Sequence, residues 1–313
     1  MGGWGLGLGS ERQEMPMDLA RADTGTDLKD PAYRKIRDLI YQISGIYQPD
    51  EKTYLLASRC ARRMSVVGAK DPSQYLDHLT VRGNREAELR LLLNEITIGE
   101  TYMFRSPPQL EALRTMILPQ IIESKNKLGF KRLRIWSAGC STGEEPYTLA
   151  MFLLEARETL LKDCSFEILA TDLNDNSLVA AKAGIYGEYA LRNTSEVLRR
   201  KYFKPCDDKR LQASDQLKSL IRFDRVNLTD DSKMLFLKGM DVIFCCNVLI
   251  YFDLASKRRV VQHFYANLLP NGYLFLGHAE SLYQVDDSFR LVHFPGTSAY
   301  WKPPVGYTSG SKP

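Results

Sequence analysis

The apolar positions in the first third of the chain recur every three or four residues, which is the spacing of amphipathic helices. Residues 31–96 contain four such stretches. The apolar face of the first is formed by Tyr33, Ile36, Leu39, Ile40 and Ile43. Gly45 is placed to end that helix, and Asp71 followed by Pro72 has the composition of a helix start. The pattern predicts an N-terminal all-helical domain over residues 31–96.

Beyond residue 110 the pattern changes to apolar runs of strand length that alternate with helical stretches. We predict a linker loop over residues 97–109 and then a connecting helix over residues 110–122. The predicted strands are residues 133–138, 166–171, 221–227, 240–245 and 273–277. The predicted helices between them are residues 144–161, 176–183 and 254–269. This alternation favours an α/β fold with a parallel sheet covered on both faces.

Two parts of this predicted domain, residues 110–301, depart from the alternation. Residues 184–220 are too long for an ordinary connection, so we predict an inserted subdomain there. The last two apolar runs, residues 289–294 and 298–301, are separated by Pro-Gly-Thr and predict an antiparallel hairpin at the edge of the sheet.

Composition narrows the class of protein only modestly. The 313-residue chain is 44% hydrophobic and 26% charged, and its net charge of +4 is too small to argue for nucleic acid as a partner. No apolar run reaches the roughly 18 residues of a membrane span, and the first residues lack the features of a signal peptide. Residues 1–30 and 302–313 are rich in glycine and polar side chains and are predicted to be disordered tails.

The six cysteines and four histidines show neither disulfide-framework nor metal-ligand spacing. We therefore expect reduced cysteines, no metal and a cytoplasmic protein. Nothing in the sequence indicates an obligate oligomer, so we expect a monomer. His278 follows a predicted strand, but we expect it to be structural.

The first candidate ligand site is the glycine turn after the first predicted strand. Residues 138–145 read AGCSTGEE, and such a strand-to-helix turn lets a ligand approach the backbone. The turn is not GxGxxG, and two acids at a helix start disfavour a pyrophosphate. A cationic ligand without phosphates, such as a sulfonium with an amino-acid tail, suits these charges better. A turn that only packs is the alternative.

Asp172 at the end of the second predicted strand is the second candidate. An acid at this place can accept hydrogen bonds from the ribose hydroxyls of a nucleoside. It lies farther beyond the glycine turn than the roughly 20 residues typical of dinucleotide folds. Helix capping is the alternative role for Asp172. Together, the turn and the acid favour a nucleoside cofactor.

These segments resemble the motifs of CheR-type chemotaxis receptor methyltransferases. The matching segments, in the family's order, are ETYMFR, WSAGCSTGEEPYTLAM, ATDLN, AGIY with YF, VNL, DVIFCCNVLIYFD and LFLGHAESL. The resemblance implies a Rossmann-like class I methyltransferase sheet with an N-terminal all-helical domain and a small inserted β-subdomain. It also implies methyl transfer from S-adenosylmethionine to receptor glutamates, which gives γ-glutamyl methyl esters and S-adenosylhomocysteine.

Site residues follow from the resemblance motif by motif. The cofactor-binding positions are Thr101, Arg105, Glu145, Asp172, Asn227, Leu228, Cys246 and Asn247. The resemblance places Arg105 and Tyr251 in the reacting region, beside the methyl group. Glu145 is expected to pair with the ligand's ammonium and Asp172 to hold its ribose, and the VNL segment is expected to contact the adenine.

A basic face on the second predicted helix bears on the partner. Lys52, Arg59, Arg62 and Arg63 fall within an arc of roughly 100°. The family uses a basic N-terminal helix to meet the acidic cytoplasmic helices of receptors, which makes Arg59, Arg62 and Arg63 candidate recognition residues. A solvated face is the alternative, because two leucines share the arc. In some members the inserted subdomain grips a receptor's C-terminal tail, and the sequence leaves this second contact open.

Three positions depart from the family pattern. Cys246 stands where the family usually has Arg, Gly99 where some members have Asn, and Met103 where they have Phe. We expect altered affinity rather than lost activity. A dinucleotide-dependent dehydrogenase is a second enzyme hypothesis, which the missing GxGxxG disfavours. A non-catalytic cofactor-sensing or scaffold protein is a third, supported only by Cys246, and a different methyl acceptor also stays open.

Overall fold

Four amphipathic helices form the N-terminal part of the computed structural model, which describes residues 28–81, 83, 85–97, 99–207 and 209–307. They are α1 (Pro31–Ser44), α2 (Thr53–Val67), α3 (Pro72–Thr80) and α4 (Arg85–Ile96). The Asp30 and Asp71 side chains cap α1 and α3 directly before a proline, and Gly45 ends α1 in the left-handed conformation. The predicted all-helical domain is confirmed.

Ten strands follow among the described residues. They are β1 (Arg132–Ala138), β2 (Ser165–Asp172), β3 (Ile185–Tyr186), β4 (Phe203–Pro205), β5 (Leu211–Ala213), β6 (Ile221–Arg225), β7 (Met240–Cys245), β8 (Leu268–Leu276), β9 (Arg290–Phe294) and β10 (Thr297–Trp301). Seven of them form one sheet in the order β6-β2-β1-β7-β8-β10-β9. The first five of this order are parallel, and β10 and β9 are antiparallel. The predicted parallel sheet and its edge hairpin are confirmed.

Helices cover both faces of this sheet, and three more lie in the inserted segment. In chain order they are α5 (Pro107–Ala112), α6 (Leu118–Lys127), α7 (Glu144–Glu155), α8 (Asp175–Ala183), α9 (Glu188–Leu191), α10 (Glu196–Tyr202), α11 (Asp215–Lys218), α12 (Asp231–Met234) and α13 (Leu254–Asn267). A π-helical turn, Leu113–Ile117, joins α5 to α6. No helix in the described ranges is long and apolar enough to cross a bilayer.

Several predicted boundaries are wrong. The connecting helix begins at Pro107, because proline fits the first turn of a helix, and it runs on to Lys127. α7 ends at Glu155, where the backbone switches to i→i−3 hydrogen bonds such as Arg157 N to Leu154 O at 3.2 Å. β6 stops at Arg225 rather than at residue 227.

The C-terminal boundary also differs from the prediction. Residues 302–307, predicted to be disordered, pack against the sheet edge: Lys302 Nζ donates to the Tyr265 and Leu268 carbonyls, and the Tyr307 ring lies on Trp301. The other residues of the predicted tails lie outside the described ranges, except for residues 28–30.

The inserted segment forms a second sheet, in the antiparallel order β3-β5-β4, which confirms a small inserted β-subdomain. It packs with α5–α7 on one face of the large sheet. The helical domain and α13 share a core with the other face, around Trp136. The carboxyl ends of β1, β2 and β7 therefore open between the helical domain and the inserted subdomain.

Candidate active site

A cavity of about 360 Å³ opens at the carboxyl ends of β1, β2 and β7. All nine residues that the family resemblance assigned to cofactor binding or reaction line it: Thr101, Arg105, Glu145, Asp172, Asn227, Leu228, Cys246, Asn247 and Tyr251. The structure thus brings together segments that lie far apart in the sequence. The volume falls in the range of small-molecule sites, and the carboxyl edge is where open α/β sheets bind ligands.

The glycine turn after β1 presents its backbone to this cavity. Gly139 has a φ of 81°, and the amides of Gly139 and Cys140 donate to the Thr171 carbonyl at 2.8 and 2.9 Å. A Cβ atom at Gly139 would overlap Val248. Glycine is therefore required at this position, both by its φ and by the close approach of the chain that follows β7.

Asp172 joins this turn to the loop after β2. Its Oδ2 accepts from the Ser141 amide and its Oδ1 from the Asn174 amide, both at 2.8 Å. Burial raises its pKa, against the lowering effect of these amide hydrogen bonds. The side chain that caps α8 is that of Asn174, so the helix-capping alternative for Asp172 is wrong. The carboxylate keeps acceptor capacity for a ligand beyond these amide hydrogen bonds.

Glu145, in the first turn of α7, is the second carboxyl group that the cavity exposes. Its Oε1 accepts from the Ser137 hydroxyl at 2.7 Å. Burial raises the pKa of Glu145 to about 7, although the Ser137 and Cys246 hydrogen bonds and the charge of Arg105 lower it. A cation in the cavity would pair with this group and favour its ionised form.

Glu144 points elsewhere. Its Oε2 accepts from the Thr142 hydroxyl at 2.6 Å, and burial raises its pKa. The two adjacent acids of the sequence therefore have different surroundings. Only Glu145 is among the residues that line the cavity.

The charges around the cavity are mostly negative. Among the described residues that line it, Arg105 is the only cation, whereas Glu100, Glu145 and Asp172 carry carboxyl groups. The exposed Arg105 donates to the Glu100 carbonyl at 3.0 Å, and its guanidinium lies 5.7 Å from the centroid of the Tyr102 ring. Phosphate groups prefer free amides or several cations, so these charges favour a ligand that carries positive charge.

Asn227 and Leu228 line the side of the cavity next to the helical domain. Asn227 Nδ2 donates to the Ile43 carbonyl at 2.6 Å, and its Oδ1 accepts from the Thr229 amide and hydroxyl at 3.1 and 2.8 Å. Both lone pairs of this oxygen are thus occupied, and one N–H of the amide is left for a ligand. Leu228 contributes an apolar wall.

The turn after β7 carries three further residues of this set, Cys246, Asn247 and Tyr251. Asn247 has a left-handed backbone conformation with a φ of 62°, and its backbone N–H donates to Glu280 Oε2 at 2.7 Å. The thiol of Cys246 lies 3.7 Å from Gln109 Oε1, and burial raises its pKa well above the ordinary range. Tyr251 is 44% exposed, which places it at the mouth of the cavity.

Two of the positions that depart from the family pattern have a packing explanation. A Cβ atom at Gly99 would overlap Ser141 Oγ, so a side chain at this position would require the Ser141 hydroxyl to move. Ser141 Oγ is buried and has no hydrogen-bond partner among the described residues, which suits a polar ligand in the cavity. Met103 is fully buried and packs in the core instead.

Three neighbours of the predicted residues were missed by the sequence analysis. Gln109 lies on a helix and gave no signal, yet its Nε2 donates to the Leu276 carbonyl at 2.6 Å beside Cys246. Ser141 and Glu280 both lie inside motifs that the sequence analysis quoted, and each could have been found there as a polar residue after a strand. His278, which lies in the same motif as Glu280, is exposed and does not line the cavity.

The basic face of α2 lies apart from the cavity, and its cations are not equivalent. Arg63 donates from Nε and Nη2 to Glu88 at 3.0 and 2.8 Å, and both side chains are largely buried. The structure thus gives Arg63 a partner inside the helical domain, which removes it from the candidate recognition residues. Arg62 is exposed beside Glu95 and Arg59 is half-exposed, so these two stay candidates.

Comparison with known proteins adds relatives to this geometry. A family model described as "CheR methyltransferase, SAM binding domain" matches residues 99–297, and one described as "CheR methyltransferase, all-alpha domain" matches residues 31–97. Chemotaxis protein methyltransferase 2 of Vibrio cholerae is 36% identical over 89% of this chain and 95% of its own length. The chemotaxis protein methyltransferase of Borreliella burgdorferi is 35% identical over 81% of this chain and 89% of its own.

Proposed function

Because the chain belongs to the CheR methyltransferase family, we propose that it transfers a methyl group from S-adenosylmethionine to glutamate side chains of chemotaxis receptors. The products would be γ-glutamyl methyl esters and S-adenosylhomocysteine. The names of its relatives support methylation in chemotaxis. The proposal goes beyond these names in two respects: it identifies receptor glutamates as the methyl acceptor, and it identifies the product as an ester.

The observation that carries the proposal is the charge pattern of the cavity. Two half-buried carboxyl groups, Glu145 and Asp172, face a space whose single cation among the described lining residues is Arg105 at the mouth. A ligand with an ammonium, a sulfonium and two ribose hydroxyls suits such walls. A pyrophosphate would meet acids at the helix N-terminus where it needs free amides. The same pattern counts against the dehydrogenase hypothesis.

The residues present fit three groups of S-adenosylmethionine: the ammonium, the ribose and the adenine. Glu145 would hold the ammonium, and Asp172 would accept hydrogen bonds from the ribose. Leu228 would cover one face of the adenine, and the free N–H of Asn227 would meet its edge. The unpartnered hydroxyl of Ser141 is a further donor or acceptor in the same cavity.

The reaction requires that the acceptor carboxylate be oriented toward the methyl group, and it does not require proton transfer by the protein. When bound, S-adenosylmethionine supplies an electrophilic methyl group on a sulfonium. A glutamate carboxylate is already a nucleophile at neutral pH, so no general base is required. Arg105 and Tyr251, at the exposed mouth, would orient the incoming carboxylate toward the cavity. Covering the mouth with the acceptor would exclude water from this contact.

Calorimetric titration with S-adenosylmethionine, S-adenosylhomocysteine and NAD tests the cofactor. We expect micromolar affinity for the first two and none for NAD. A labelled methyl donor and a receptor cytoplasmic fragment then test the reaction, and label that alkali releases as methanol identifies an ester. Binding without transfer to any receptor fragment would support the non-catalytic alternative. Binding of NAD alone would overturn the proposal.

Affinity for S-adenosylmethionine should depend on pH through Glu145. Its pKa in the free protein is about 7, and a bound ammonium favours the carboxylate, so binding releases a proton. Affinity should therefore fall below pH 7, by up to about tenfold per pH unit. It should level off above pH 7, until the ligand's own α-amino group loses its proton near pH 8.

Calorimetry between about pH 6 and 7.5, in two buffers of different ionisation enthalpy, measures the released protons directly. The control is Glu145→Gln, which should bind more weakly but with little dependence on pH in this window. An equal slope in wild type and Glu145→Gln would assign the titration to another group.

Arg59→Ala and Arg62→Ala should raise KM for an acidic receptor fragment, by roughly threefold to tenfold each, without changing the affinity for S-adenosylmethionine. Exposed charges that meet a partner act at a distance and are screened by salt, so the effect should shrink as salt rises. Steady-state kinetics at two salt concentrations measures it. The control is Arg157→Ala, an exposed arginine beside Phe166 on the sheet domain. An unchanged KM would leave α2 as a solvated face.

A further inference from the structure

We propose that Glu280 is a positioning residue whose carboxylate holds the turn carrying Cys246, Asn247 and Tyr251 in the shape that binds the cofactor. The inference rests on the proposed function for its ligand. Glu280 is not among the described residues that line the cavity, so it acts through residues that do.

Three backbone amides converge on this one carboxylate. Glu280 Oε2 accepts from the Asn247 and Gly277 amides, both at 2.7 Å, and Oε1 accepts from the Ile250 amide at 3.2 Å. Charge-assisted hydrogen bonds of this length are among the stronger ones in proteins. Two of these donors belong to the turn after β7 and one to the end of β8, so the carboxylate ties the two neighbouring strand ends together.

The carboxylate helps to fix the backbone conformation of the turn. Asn247 is left-handed, with a φ of 62°, a region that asparagine adopts more easily than other non-glycine residues, and its backbone N–H is held there by the hydrogen bond to Glu280. Its amide would also lack a partner if the carboxylate were removed. Without Glu280, the turn is therefore free to relax to a conformation in which Asn247 leaves the cavity wall.

Gly277 makes the close approach possible. A Cβ atom there would lie 2.7 Å from Glu280 Oε2 and 2.8 Å from the Asn247 amide nitrogen. Both distances are too short for real contacts, so a side chain at position 277 would push the carboxylate and the amide apart. Gly277→Ala should thus disturb the contact between the Glu280 carboxylate and the Asn247 backbone amide without removing a charge.

The other side of the turn is attached to the helical domain. The Tyr47 amide donates to the Tyr251 carbonyl at 2.9 Å, and Ile46 forms a β-bridge with Phe252. These bonds hold the far end of the turn, at the mouth. Glu280 holds its beginning, next to Cys246 and Asn247. Loss of Glu280 should therefore affect cofactor binding more directly than the position of Tyr251.

Hydrogen exchange of the ligand-free protein tests the contact itself. In Glu280→Gln we expect the peptide that spans residues 246–251 to exchange at least tenfold faster, with little change in β1 or α1. The control is Asp286→Asn, because Asp286 accepts from the Ser288 amide at 2.8 Å in the same segment and does not line the cavity. Unchanged exchange in the 246–251 peptide, or faster exchange throughout the protein, would overturn the proposal.

Calorimetric affinity for S-adenosylhomocysteine then tests the consequence. We expect about tenfold weaker binding for Glu280→Gln, a similar loss for Glu280→Asp and Gly277→Ala, and wild-type affinity for Asp286→Asn. Glu280→Asp keeps the charge but shortens the side chain, so wild-type affinity there would mean that charge alone matters and would overturn the positioning role. Asn247→Ala combined with Glu280→Gln should bind no more than about twofold more weakly than the weaker single variant.

Multiplying effects in that double variant would mean that Glu280 does not act through Asn247, which would also overturn the proposal. Failure of the proposed function has a different outcome. In that case wild type would not bind S-adenosylhomocysteine at all, while the exchange result for the ligand-free protein would still decide whether Glu280 holds the turn.

Discussion

Asp172→Ala is expected to weaken binding of S-adenosylmethionine by about 1–3 kcal/mol, roughly 5- to 150-fold, as for lost hydrogen bonds to a charged group. Two losses combine in this variant. The ribose hydroxyls lose their acceptor, and the Ser141 and Asn174 amides, each 2.8 Å from a carboxylate oxygen, lose theirs. The glycine turn after β1 is therefore expected to loosen together with the loss of the ligand contact. Calorimetric titration at pH 7.5 measures the change.

Asp172→Asn should be nearly as harmful as the alanine variant. Both carboxylate oxygens accept from a backbone amide, so an asparagine must turn its NH2 group toward one of these N–H donors. The control is Asp71→Ala, which removes a carboxylate that accepts from the Gln74 amide at 2.8 Å in the helical domain. That variant should lose stability but keep its affinity. Wild-type affinity in both Asp172→Ala and Asp172→Asn would show that Asp172 is not the ribose acceptor.

The sheet was predictable because its central strands are buried on both faces. β7 is buried at every position, and such apolar runs separated by helices leave little choice of fold. The positions of Asp172, Cys246 and Asn247 then follow, because the residues after parallel strands gather at one edge of the sheet. The roles of the individual site residues came from the motifs, whose order along the chain matches that of the family.

What could not be predicted depends on contacts between distant residues. The spacing of the cations along α2 cannot reveal that Arg63 forms an ion pair with Glu88, because Glu88 lies on another helix, α4. In the same way, the bond from Asn227 to the Ile43 carbonyl links the sheet to α1. Likewise, Gly99 lies against Ser141, which is beside it only in the folded chain.

Arg105→Ala is expected to lower kcat about 100- to 1000-fold, the loss typical of removing one preorganised donor to a reacting oxygen. Affinity for S-adenosylmethionine should change by no more than about threefold, because Arg105 lies exposed at the mouth of the cavity, whereas the contacts proposed to hold the cofactor are those of Glu145, Asp172 and Asn227. Fixed-time methyl-transfer assays at saturating cofactor and receptor fragment measure kcat, and calorimetry measures the affinity for S-adenosylmethionine. Arg105→Lys keeps the charge but not the planar fork, so it should recover only part of the rate.

A neighbouring arginine provides the matched control for this prediction. The guanidinium of Arg192 lies 3.3 Å from the centroid of the same Tyr102 ring, yet Arg192 is not among the described residues that line the cavity. Arg192→Ala removes an equal charge from the same surface and should leave kcat within about twofold of wild type, because distance-screened charge contributes little at an exposed site. Equal losses in the two variants would mean that positive charge near the mouth is sufficient. A loss of cofactor affinity in Arg105→Ala with an unchanged kcat would move Arg105 from the reaction to cofactor binding alone, and would leave Tyr251 as the residue that orients the acceptor.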